Sequence, residues 1–125
     1  MKTQRTGVII FTENFDTLKN FYQEIFEFPE FFDAKWEENN TSEQLVCLDT
    51  GSGYILIETP QGKEINPSGP LHLRFNIHEV KTLSEKLKKQ KIEHTYTKEP
   101  WGENLQLQDP DGNIISIRDE ITFLA

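Results

Sequence analysis

The chain has 125 residues and a net charge of −8, from 13 basic and 21 acidic side chains. That length suits one compact domain able to bury a core without disulfides or a structural metal. The sequence lacks the basic stripe of a nucleic-acid binder, and no apolar run approaches the roughly 20 residues of a membrane span, so neither nucleic acid nor membrane is an expected partner.

Cys47 is the only cysteine; it stands in the apolar run LVCL and reads as a buried small hydrophobe. The opening MKTQRTGVII lacks the apolar core of a signal peptide, so a cytoplasmic location is expected. Lys86, Lys88, Lys89 and Lys91 fit the last turn of a helix, where ammonium groups complement the helix dipole.

In chain order, residues 8–12 form an apolar run that predicts a buried strand. Asn14 is a good helix N-cap, and Phe15, Leu18, Tyr22, Ile25 and Phe26 recur at helical spacing, so a helix is expected over 14–26, before Pro29. Strands are expected at 31–36, 43–48 and 54–58, with Gly51 and Gly53 marking the turn before the last. Residues 61–70 hold two Gly and two Pro and read as a linker. The plan then repeats: a strand at 71–77, a helix at 79–90 with Val80, Leu83 and Leu87 on its apolar face, and strands at 92–97, 105–108 and 113–118. DPDG before the last strand is a turn, with Pro fixing φ and Gly accepting a positive φ. The fold class is α+β: a single domain of two strand-helix-three-strand modules, about 1–60 and 71–125.

Strand alternation sorts the side chains. Leu71, Leu73, Phe75 and Ile77 share one face and should pack under a helix; His72, Arg74 and Asn76 share the other. The same rule puts Tyr54, Leu56 and Glu58 away from the helix, with Ile114, Ser116 and Arg118, and with Gly7, Ile9 and Phe11. Phe32, Trp36, Tyr96 and Trp101 are expected at the rim, and 37–42 and 99–104 as shaping loops. Polar groups converging in an apolar frame are what a small-molecule site looks like.

FYQEIFEF in the first helix, EPWG at 99–102 and DPDGN at 109–113 before a strand, set in this twofold plan, resemble the vicinal oxygen chelate superfamily of glyoxalases, bleomycin resistance proteins and extradiol dioxygenases. The resemblance covers nearly the whole chain. It implies paired modules forming a half-open barrel with a concave cavity, commonly assembled as a homodimer. In the superfamily's metal enzymes each module supplies a His or Gln from its first strand and a Glu from its last. Here the second-module His position matches His72 and the first-module Glu position matches Glu58. The remaining two fall on Gly7 and Ser116, which supply no strong ligand.

No metal cofactor is therefore expected. The leading expectation is a metal-independent, small-molecule-binding protein of the sequestration or resistance-like kind, with Arg74, Asn76, Trp101, Phe32, Trp36, Ser116 and Arg118 as ligand-binding residues. An acidic protein suits cationic ligands in principle. The alternative is a lyase, isomerase or dioxygenase using His72 and Glu58, with or without a divalent metal. Replacing Gly7 with His and Ser116 with Glu should restore a full ligand set.

Overall fold

The structure, a computed structural model, describes residues 1–62 and 70–124. The chain divides into two compact units, Met1–Pro67 and Ser68–Ala125. Most of the expected linker, 63–69, lies outside the described residues.

The first unit runs β1 (Thr6–Phe11), α1 (Phe15–Ile25), β2 (Glu30–Glu38), β3 (Thr41–Asp49) and β4 (Gly53–Glu58). The second runs β5 (His72–Ile77), α2 (Val80–Lys89), β6 (Thr95–Glu99), β7 (Gly102–Gln108), β8 (Ile114–Asp119) and a short α3 (Glu120–Phe123). Each unit is one open, mixed, four-stranded sheet, ordered β1-β4-β3-β2 in the first and β5-β8-β7-β6 in the second. In both, the first strand lies parallel to the last and the other neighbours are antiparallel. The α+β class and the repeated strand-helix-three-strand plan are as the sequence predicts. No helix among the described residues is long and apolar enough to cross a membrane.

Each sheet buries one face with its helix. In the first unit Phe15, Leu18, Tyr22 and Ile25 of α1 are buried, together with Ile10, Val46, Leu48, Ile55 and Ile57 on alternate strand positions. In the second, Val80, Leu83 and Leu87 of α2 are buried, with Leu105, Leu107, Ile115 and Ile117. Each such aliphatic side chain contributes about 1.5–3 kcal/mol through burial. Cys47 is buried too, and burial first, then the Asp49 carboxylate, pushes its thiol pKa up.

The two longer helices, α1 and α2, each end on a non-glycine residue of positive φ, Glu27 and Lys91. At α2 the Lys91 N–H donates to Lys88 O and the Ile92 N–H to Leu87 O, a Schellman closure. His94 Nδ1 then bonds Ile92 O, and its Nε2 meets Ser84 Oγ at 2.8 Å. Residues 92–94 are thus engaged with the helix end, and β6 starts at Thr95 rather than at 92 as the apolar Ile92 suggests. Expected loops also prove shorter. β2 and β3 form one long hairpin closed by Asn39 and Asn40, both at positive φ, as a tight two-residue turn requires. Glu99 pairs with Gly102 across a second two-residue turn, Pro100-Trp101.

DPDGN joins β8 to the start of β5. Asp109 Oδ1 accepts from the N–H groups of Asp111 and Asn113, and Oδ2 accepts from Asn113 Nδ2. Asn113 Oδ1 in turn accepts from the Leu71 N–H at 2.9 Å.

Candidate functional site

Strand register places most of the expected site residues, though not Tyr96 or Trp101, on the sheet faces turned away from the helices. In the first unit, β4 pairs Tyr54 with Gly7, Leu56 with Ile9 and Glu58 with Phe11. On its other side Leu56 pairs with Cys47, which pairs in turn with Phe32. A register shift between Glu30 and Phe32 inserts one extra residue, a bulge that turns Phe32 onto this face. The face is mainly apolar, with Ile9 49%, Phe11 40% and Phe32 57% exposed. Trp36 continues it opposite Glu43, with its indole N–H toward Glu38 Oε2 at 3.5 Å. Its carboxylates are held: Glu58 accepts from Gln61 Nε2, and the buried Glu43 accepts from Thr59 Oγ1 and from the Gln61 N–H.

The second unit is polar where the first is apolar. β5 pairs His72 with Ile114, Arg74 with Ser116 and Asn76 with Arg118. β7 adds Asn104, Gln106 and Gln108 opposite Arg118, Ser116 and Ile114. These amides alternate with Leu105 and Leu107, so period-two alternation is the signal that finds them. His72 Nε2 and Ser116 Oγ lie 2.9 Å apart, a hydrogen bond across neighbouring strands. Ser116 is only 5% exposed.

Arg118 is committed elsewhere. Its Nη2 donates to Trp101 O at 3.0 Å and to Thr122 O at 3.4 Å, and its guanidinium lies 4.6 Å from the Trp101 ring and 5.8 Å from that of Phe123. Trp101 stays half exposed on its turn. Gly102, at φ +142°, makes room for this cluster, because a Cβ there would overlap Thr122 Oγ1 and Asp119 Oδ1. Asp119 caps α3, and bonds from Thr122 Oγ1, the Glu103 N–H and the Thr122 N–H, with Arg118 beside it, hold its carboxyl down at about 2. Tyr96, expected at the rim, pairs with Leu105 and so lies on the helix-side face. There it donates to Glu103 Oε1, and that bond above all raises its phenol to about 12.

The superfamily's divalent metal does not fit these residues. A Cβ built on Gly7 would overlap the Tyr54 ring, so the ring occupies the space a ligand side chain at Gly7 would need. Ser116 offers a neutral hydroxyl already bonded to His72. Among the described residues no three His, Cys, Asp or Glu side chains gather as a metal site. Restoring the set with Gly7→His and Ser116→Glu alone would therefore meet Tyr54 first.

No curated protein matches the sequence closely enough to count as a relative. Among solved structures, the fold is similar to that of lactoylglutathione lyase from Agrobacterium tumefaciens, at 18% identity and a TM-score of 0.73, covering 98% of this chain and 97% of that one. It is also similar to the trypanothione-dependent glyoxalase I of Leishmania major, at 20% identity, TM-score 0.75 and coverage of 98% and 91%. A third is TnmS3, an antibiotic-binding protein from Streptomyces sp. CB03234, at 18% identity, TM-score 0.66 and coverage of 94% and 96%. The model of the glyoxalase-like domain matches residues 6–122. With nearly its whole length matched, the chain belongs to the glyoxalase-like domain family, within the vicinal oxygen chelate superfamily.

Proposed function

We propose that this protein binds a small organic molecule without a resident divalent metal, as a sequestering or resistance-like member of its family. The observation that carries the reading is the Tyr54 ring over Gly7. Where a metal enzyme of this superfamily would present a ligand, this chain presents an aromatic ring on an apolar face. That one structural neighbour, TnmS3, is an antibiotic-binding protein supports a binding role. The protein acts in the cytoplasm as a homodimer; the edge strands of two open sheets and the exposed Phe32 support self-association.

Calorimetry with Zn²⁺, Ni²⁺ and Mn²⁺ tests the metal-free reading, and a fluorescence screen of small molecules against Trp36 and Trp101 tests binding. Weak or no metal binding, with ligand-dependent quenching, is expected. Sub-micromolar metal affinity that disappears in His72→Ala would overturn the reading in favour of a lyase, isomerase or dioxygenase using His72 and Glu58. Light scattering that finds only monomer at micromolar concentration would remove the dimer.

A further inference from the structure

We infer that the ligand carries a carboxylate and that Arg74 is the residue that recognises it; this rests on the binding role proposed above. The chain's overall charge points the other way, since −8 favours cations at long range. The polar face of the second unit has a different local balance. Arg74 is exposed, and no ion pair among the described residues involves it. The only acidic side chain that strand register puts on this face is Glu99, on the far edge strand β6. Three strand spacings separate β5 from β6, about 14 Å, which exceeds the screening length of about 8 Å at physiological salt. Arg118 shares the face, but its Nη2 is held by Trp101 O and Thr122 O, and its Nε is buried 3.8 Å from Asp119 Oδ1.

Arg74 therefore has its charge and its planar fork of N–H donors available. A guanidinium in that state matches a carboxylate bidentately. Its neighbours suit the same group: His72 and Asn76 flank it on β5 at alternate positions, and the exposed Gln106 lies in the same row on β7, beyond the buried Ser116. All are neutral or weakly basic hydrogen-bonding groups, so they can satisfy a carboxylate's remaining lone pairs without repelling it. A phosphate dianion fits less well, because one guanidinium would face two negative charges within an acidic protein.

Calorimetric or NMR titration with three probes of equal size but different charge, benzoate, benzyl alcohol and benzylamine, tests the inference. Benzoate should bind most tightly. Arg74→Gln should weaken benzoate about tenfold and leave benzyl alcohol within about twofold. Lys98→Gln, which removes an equal charge from the opposite face of the same sheet, should change benzoate binding by less than about twofold. Benzylamine binding as well as benzoate, or Arg74→Gln weakening all three probes alike, would overturn the role of Arg74 while leaving the binding role intact. Failure of all three probes to bind at millimolar concentration would remove both.

Discussion

The Tyr54 ring lies where a side chain at Gly7 would begin. The two residues are register partners on parallel strands β4 and β1, so they stand side by side on one face of the sheet. Gly7 is not among the glycines of positive φ, so space and not backbone conformation calls for glycine there.

Gly7→Ala should therefore destabilise the protein by about 1 kcal/mol, at the low end for overpacking because the tip of the tyrosine can swing aside. The cost should vanish when Tyr54→Ala accompanies it. A double-mutant cycle by chemical denaturation measures this coupling, and purely additive effects would show that the ring does not occupy the space.

The cap of α3 should weaken in acid. The folded pKa of Asp119, about 2, lies below its ordinary value of 3.8. The ionised cap thus stabilises the fold above about pH 4 and loses its effect as pH falls toward 2. The difference in melting temperature between the native protein and Asp119→Asn should shrink over that window. A constant difference would mean that charge plays no part in the cap.

Tyr96 behaves in the opposite sense. Its folded pKa of about 12 exceeds its ordinary 10. Its bond to Glu103 stabilises the fold fully below pH 10 and is lost as pH rises through 12. Ultraviolet titration should show an ionisation near pH 12 that is absent in Tyr96→Phe. Glu103→Gln should bring that ionisation back toward 10.

Asp109→Ala should cost about 3 kcal/mol or more, because it strips a buried carboxylate from donors at Asp111 and Asn113. The loss should extend to β5, since Asn113 also holds the Leu71 N–H. Hydrogen exchange at His72 to Ile77 should accelerate more than exchange in β7. Equal acceleration throughout the sheet would make the turn a general stabiliser rather than the tie between β5 and β8.

Much of the architecture is legible in the sequence because its signals are local. Helical spacing of Phe15, Leu18, Tyr22 and Ile25 and alternation in HLRFNI report which face each element buries, and burial of one face is what orders the element. The same alternation places His72, Arg74, Asn76 and Ser116 on one face, as the register confirms. Boundaries are less legible where a tertiary or capping bond competes with propensity. Ile92 looks like the start of a strand but closes α2, and Asn39-Asn40 looks like a loop but is a hairpin turn of two positive-φ residues.

Sequence by itself determined the two-module α+β plan, the apolar and polar face of each strand, and the absence of strong metal donors at Gly7 and Ser116. Only the tertiary structure decided which of the polar residues are free to act. Arg74 and Arg118 are identical in type, and strand register puts them on the same face. One remains exposed, while the other is held by a turn carbonyl at Trp101, a helix carbonyl at Thr122 and the rings of Trp101 and Phe123. Those partners lie 17 and 4 residues away in sequence for the two carbonyl bonds, and no periodicity encodes them. A donor's availability depends on which acceptors the folded chain brings within about 3 Å of it, and that is a property of three-dimensional packing rather than of spacing along the chain.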